Sequence, residues 1–293
     1  MKQKLPLLIL LIVTVASISC KKNNKENPVA NPPSPPDPPM SLPAVLIKDV
    51  AHASLPSPFY HFEYDAAGKA TFVSYASDLR RYNIIYEGNR IIEMRNNITV
   101  ILIYPNNDTI VTSINKDRLQ YFYDNIGRVN VVTYADSTGL VNTRINLIYD
   151  GAKLIKFERE RKSGAGFIID KTITITYYPD GNLQDITVHQ PAIIGQNYTD
   201  RYEQYDNKIN AEGFSLLHDE FFDHFVFLPG VQLQKNNPGK QTRTGDGNNF
   251  KVDYVYTYDN RGAPFRRGGD FVYTSGPKTG QRFQLSSTYT YYP

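Results

Sequence analysis

One pattern recurs along this chain and limits what it can fold into. A tyrosine closes a β-type run, a tight polar turn follows, then glycine, then a basic or polar residue and an apolar one. The plainest copy is Tyr121-Phe122-Tyr123-Asp124-Asn125-Ile126-Gly127-Arg128-Val129. Asp and Asn bond back to nearby backbone and tolerate left-handed conformations, while Gly supplies positive φ. Each copy therefore reads as a hairpin turn with a strand on either side. Further copies start at Tyr64, Tyr86, Tyr149, Tyr178, Tyr205 and Tyr258, and Tyr104 begins a variant without Gly. The structural turn glycines are Gly68, Gly88, Gly127, Gly151, Gly181 and Gly262. Copies recur roughly every 20–30 residues, the length of two strands and two turns. A wide gap separates Tyr205 from Tyr258.

Between the turns the side chains alternate. Ile173, Ile175 and Tyr177 fall on one face of a strand, and Thr172, Thr174 and Thr176 on the other. That period of two marks a strand with one face buried. Tyr254, Tyr256 and Tyr258 repeat it, as does Arg144 to Tyr149. The chain has 22 Tyr and 15 Phe but no Trp, and Tyr and Phe suit a half-buried pleated surface. The reading is an all-β fold: an antiparallel meander of serial hairpins forming a curled or rolled sheet. The gap after Tyr205 breaks the period. Phe214, Leu217, Phe221, Phe225 and Leu228 share one helical face. This spacing predicts one amphipathic helix over about 214–227, ended by Pro229-Gly230 and capping or packing on the sheet.

The N-terminus carries a different message. Lys2 and Lys4 precede an apolar run from Leu5 to Ala16, then small residues, then Cys20. The run is short for a membrane span and has the layout of a signal peptide. Cys20, the single cysteine, resembles the lipobox cysteine of bacterial lipoproteins, which is acylated and becomes the new N-terminus. The expected division is a signal peptide over 1–19, a lipid-anchored Pro/Asn-rich linker over 20–43, and a single β domain over 44–293. Prolines in the linker favour an extended spacer of about 3.1 Å per residue. The resemblance implies a membrane partner through the N-terminal lipid. With Lys21 after the cysteine it implies the cell envelope, at the outer membrane.

The turn signatures from residue 60 onward resemble YD-repeat (Rhs-type) hairpins. More closely they resemble the YD-repeat-like lipoproteins of unknown function of Bacteroidota. The late order Lys235-Asn236-Asn237-Pro238, Tyr254 to Asp259 and Gly262-Ala263-Pro264 belongs to the same resemblance. It implies an exported all-β protein and carries no established activity to transfer.

Residues that carry chemistry are sparse. His218-Asp219-Glu220-Phe221-Phe222-Asp223-His224 is rich in metal-ligating types, but its two His are six apart rather than four, so no metal is expected. Thr244-Gly245-Asp246-Gly247-Asn248-Asn249 lacks the acidic positions of a calcium loop and reads as a hairpin tip. In Lys156 to Lys162, Glu158 and Glu160 share one strand face and Arg159 and Arg161 the other, as on an exposed or edge strand. No nucleophile elbow, phosphate loop or dinucleotide fingerprint occurs, so no catalytic residue and no cofactor is assigned. Asp108-Thr109-Ile110 and Asp136-Ser137-Thr138 match a short acceptor pattern for O-glycosylation at Thr109 and Ser137. The 32 Lys and Arg nearly balance the 29 Asp and Glu, which gives no electrostatic footprint for nucleic acid. The leading expectation is a non-catalytic binding or structural protein of the envelope, with a glycan or envelope-protein partner. The alternatives are a glycan-directed hydrolase, or a carrier of a hydrophobic ligand in a half-barrel closed by the helix.

Overall fold

The structure is a computed structural model that describes residues 45–96, 99–103, 109–113, 117–193, 195–210, 215–218, 225–228 and 230–293. The expected signal peptide, Cys20 and the linker to residue 43 lie outside these residues.

The first five strands are β1 (Ile47–His52), β2 (Tyr60–Tyr64), β3 (Ala70–Tyr75), β4 (Arg80–Glu87) and β5 (Arg90–Asn96). A separate hairpin, β6 (Thr99–Ile103) and β7 (Thr109–Ser113), precedes β8 (Arg118–Tyr123) and β9 (Val129–Ala135). Then come β10 (Val141–Asp150), β11 (Lys153–Ser163), β12 (Gly166–Tyr177), β13 (Leu183–His189) and β14 (Tyr198–Glu203). A second separate hairpin, β15 (Ser215–His218) and β16 (Phe225–Leu228), leads to β17 (Lys240–Gly245), β18 (Phe250–Tyr258), β19 (Pro264–Tyr273) and β20 (Arg282–Tyr291).

All strands except those of the two separate hairpins join one closed antiparallel barrel of 16 strands. This corrects the expected curled sheet. Closure comes from β1 and β20, where Val50 pairs with Tyr289 and Ala51 with Thr288. An open sheet leaves two rows of unpaired backbone groups, and closure removes both. It also corrects the reading of Lys156–Lys162 as an edge, since β11 is paired on both sides.

The expected helix over 214–227 is absent. Residues 215–218 and 225–228 are paired strands, with Leu216 opposite Phe227 and Leu217 opposite Val226. Residues 214 and 219–224 lie outside the described residues. Phe225-Val226-Phe227-Leu228 is a short continuous apolar run, which fits a helix face and a fully buried strand equally well. Burial decides between them. Val226, Phe227 and Leu228 are consecutive and all buried in the core. A strand buried on both faces needs protein on both sides, so this hairpin sits inside the barrel. The hydroxyl of Tyr121 on β8 donates to its Phe227 carbonyl at 3.0 Å. A barrel of this strand number leaves a channel if its lumen is not filled. Here the hairpin and inward aromatics fill much of it.

Antiparallel order sorts the connections to two ends. The Tyr-turn copies, except the Tyr104 variant outside the described residues, lie at one end, called here the signature end. Ile47 and Tyr291 lie there too, since the Tyr64 hydroxyl donates to the Ile47 carbonyl at 2.9 Å and that of Tyr291 to the Pro264 carbonyl. The six turn glycines have φ from 55° to 88°. The opposite, far end carries the β3–β4, β9–β10, β11–β12, β17–β18 and β19–β20 turns.

Candidate binding site

At the signature end every part of the repeated pattern has a physical role. The turn aspartate accepts backbone N–H groups. Asp124 takes those of Ile126 at 3.0 Å and Arg128 at 2.9 Å, and Asp259 takes those of Arg261 and Ala263, both at 2.9 Å. Burial is the largest single influence on the Asp124 carboxyl and pushes it up, but its hydrogen bonds from Arg128 and Ile126 together hold it below the usual range. Four tyrosine hydroxyls then reach the strand that opens the preceding repeat. Tyr86 donates to Ala70 O at 2.9 Å, Tyr123 to Ile91 O at 2.9 Å, Tyr177 to Leu154 O at 2.7 Å and Tyr205 to Leu183 O at 2.7 Å. In three of these cases the basic residue just before that carbonyl lies over the same ring, Lys69 over Tyr86 at 5.6 Å, Arg90 over Tyr123 at 5.3 Å and Lys153 over Tyr177 at 5.1 Å, and Arg128 lies likewise over the Tyr149 ring at 4.8 Å. Such contacts contribute roughly 0.5–1 kcal/mol each at partly exposed sites. The ring of turns is thus a fastening between repeats. The basic residue was visible in the sequence, as a Lys or Arg shortly after the turn glycine, but its role was not, because its partner is one repeat away.

Strand register fixes which side chains face out. On β12 the threonines Thr172, Thr174 and Thr176 face outward and Ile173, Ile175 and Tyr177 face the lumen, as the alternation predicts. Elsewhere the outer wall is charged. Arg201 forks onto Asp185 at 2.8 and 3.0 Å, Thr187 meets Thr199 at 3.0 Å, Arg95 pairs with Glu93 at 2.7 Å, and His61 meets Asp49 at 2.6 Å. Arg81, Arg118, Arg144, Lys251 and Arg282 are exposed on the same wall. Glu158 also faces outward and pairs with Lys156. Arg159, expected on a solvated face, is buried toward the lumen and forks onto Asp170 at 2.8 and 2.9 Å. A bulge between Arg159 and Glu160 shifts the register there, which no local pattern signals.

The lumen has two unlike halves. Inward residues of β2 to β5 and β8 to β12, such as Phe62, Tyr82, Met94, Leu119 and Phe157, are buried with the inserted hairpin in one apolar core. Inward residues of β17 to β19 and of the first part of β20 are mostly partly exposed, aromatic and polar, whereas Ile47 and Val50 of β1 and Tyr289 of β20 belong to the apolar core. Arg243 forks onto the buried Asp200, both bonds at 2.7 Å, with its guanidinium 3.6 Å from the centre of the Tyr198 ring. Arg267 lies 5.3 Å from the centre of the Tyr254 ring and reaches Ser287 at 3.4 Å. Ser287 also meets His52 Nδ1 at 2.9 Å. Burial, and secondly the Arg267 charge, push the His52 pKa down to about 4, so its imidazole is neutral at neutral pH. Tyr256, Arg267, Tyr289, Asn210, Gln234 and Asn237 line a cavity of about 20 Å³, room for roughly one water.

At the far end of this open half the wall becomes a lip. Phe271 packs against Phe250 at 4.7 Å, Tyr273 at 4.8 Å and Phe283 at 6.1 Å between ring centres. Phe283 is 49% exposed and Leu285 41%. The Thr244–Asn249 segment lies beside this lip as the β17–β18 turn, and Asp246 accepts from Asn197 Nδ2 at 2.9 Å. Among the described residues no group of three His, Cys, Asp or Glu could hold a metal ion. The segment from Asp219 to His224, and the side chains of His218 and Thr109, lie outside the described residues. Ser137 is exposed in the far-end β9–β10 turn, where Asp136 accepts the Thr138 hydroxyl at 2.6 Å.

No family model matches the chain, and no curated protein matches it. Among solved structures, a porin-like protein from Bacteroides uniformis is 15% identical, with 89% of this chain and 100% of that one covered and a TM-score of 0.54. A porin-like protein from Bacteroides vulgatus is 12% identical, with 85% and 99% covered and a TM-score of 0.43. The first likeness is one of fold.

Proposed function

We propose that this protein is a lipid-anchored component of the cell envelope at the outer membrane, whose barrel stands in water and has a binding or structural role without catalysis. The observation that carries this reading is the outer wall. A membrane-spanning barrel faces lipid with an apolar band, and each Arg or Lys there costs about 2–4 kcal/mol at the midplane. This barrel instead turns arginines, lysines and cross-strand ion pairs outward between scattered apolar side chains such as Phe122, Ile148 and Val255, and most of its tyrosines inward. The porin-like neighbour supports an envelope setting by fold, and the outward charge argues against spanning. Attachment then falls to Cys20. The fastened turn tyrosines support assignment to the YD-repeat-like lipoproteins.

The test is fractionation of Cys20→Ala. The variant should leave the membrane fraction and remain a folded β protein without detergent. Retention in the membrane as an integral protein would overturn both the anchor and the water-surrounded barrel.

A further inference from the structure

The far-end lip is a stretch of inner wall left partly exposed among the described residues. We propose that it binds a glycan of β-linked, gluco-configured pyranose rings, stacked on Phe283 and Leu285 and hydrogen-bonded to the adjoining turns. This names a ligand class for the binding role and rests on that reading.

Two independent observations converge on the lip. The first is the aromatic wall. The β1–β20 ladder ends at the pair His52 and Ser287, while β20 continues to Arg282 against β19. Residues Arg282 to Leu285 therefore extend beyond the rim that β1 provides, and the inner faces of Phe283 and Leu285 meet solvent. Edge-to-face packing of Phe283 on Tyr273, at 6.0 Å and 90°, holds the ring in place. A preset ring loses little freedom when it is covered.

The second is a set of amide oxygens beside it. The turn ending at Asn197, the turn 246–249 and the β19–β20 turn touch one another. Asp246 N donates to Asn197 O at 2.8 Å, and Asn249 N to Ser275 Oγ at 3.3 Å. A Cβ on Gly276 would come within 2.5 Å of Asn248 Oδ1. Within this cluster Gln196 Oε1, Asn248 Oδ1 and Asn249 Oδ1 are buried and have no hydrogen-bond partner in the structure. A buried acceptor left unmade costs about 1–3 kcal/mol, so a ligand that supplies donors as the turns part by the width of a hydroxyl recovers that cost.

The ligand must therefore offer an apolar face and several O–H donors at once. An acyl chain offers the first without the second. A pyranose with equatorial hydroxyls offers both, since its axial C–H groups form the faces and its hydroxyls the rim.

Calorimetry on the full chain in detergent, titrated with cellohexaose and chitohexaose, tests this. Binding of at least one with Kd below about 1 mM is expected. Phe283→Ala and Asn249→Ala should each weaken it roughly tenfold or more, with Val255→Ala on the outer wall leaving it unchanged. Equal melting temperatures would show that the variants remain folded. The proposal is overturned if neither sugar binds, or if Phe283→Ala binds as tightly as the parent. It is also overturned if cis-parinaric acid occupies the lip and Phe283→Ala abolishes that binding, since the ligand is then apolar. Each of these outcomes leaves the Cys20→Ala fractionation result untouched, so failure of the ligand class is separable from failure of the envelope reading.

Discussion

The two halves of the lumen are built from the same alternation and the same turns, yet one is a core and the other a surface. Phe157 on β11 and Phe271 on β19 both point inward. Phe157 is 1% exposed because the inserted hairpin lies in the core it joins, while Phe271 sits in a partly exposed aromatic wall. Strand pattern decides which way a side chain points. Whether that direction leads to protein or to water is decided by a segment far away in sequence. In a barrel this wide, an inward residue is buried only where something has been placed inside.

The contrast is broken most directly by truncating one ring in each half. Phe157→Ala should cost about 3–5 kcal/mol, the price of a large buried cavity. Phe283→Ala, at 49% exposure, should cost less than about 1 kcal/mol. Chemical denaturation of both variants checks this, and equal losses would show that the halves are packed alike.

The open half should also carry a pH dependence that the apolar half lacks. The His52 pKa falls from 6.5 to about 4 on folding. Between those values the unfolded chain binds a proton that the folded protein does not, so stability rises with pH across that window and falls on acidification. The full effect is at most about 3 kcal/mol. His52→Gln should flatten the stability profile between these pH values. A parent profile already flat there would show His52 to be freely solvated.

The signature end is common to both halves, so damage there should not distinguish them. Gly127 has φ 85° and Gly262 φ 81°, in the left-handed region where a β-branched residue is strained. Gly127→Val on the filled side and Gly262→Val on the open side should each cost about 1–3 kcal/mol. Thermal melts that differ widely between them would mean that the turns are not equivalent fasteners.

How much of this was legible follows from the range of each interaction. The alternation at Thr172 to Tyr177 and the turns after each tyrosine are local, and both appear in the sequence. Closure is not local. It needs Ile47–His52 against Ser287–Tyr291, and neither segment carries a mark naming the other. The inserted hairpin was misread because Phe225 to Leu228 satisfies a helical spacing and a buried strand equally well, and only the surrounding barrel chooses. The lip was missed for a related reason. Phe250, Phe271 and Phe283 are ordinary strand aromatics until one knows that nothing described covers them.

The smallest expected effect lies in the ring of tyrosines, where one hydroxyl breaks the pattern. Tyr123 donates to Ile91 O, so Tyr123→Phe should cost about 1 kcal/mol. The Tyr149 hydroxyl is buried and has no partner in the structure, although Arg128 lies over its ring. Removing a buried hydroxyl that makes no bond relieves a desolvation cost and keeps the cation–ring contact. Tyr149→Phe should therefore be neutral or stabilising by up to about 1 kcal/mol. Paired denaturation curves decide the matter. A loss in Tyr149→Phe equal to that in Tyr123→Phe would mean that the Tyr149 hydroxyl is satisfied in solution and that the fastening between repeats is continuous around this side of the barrel.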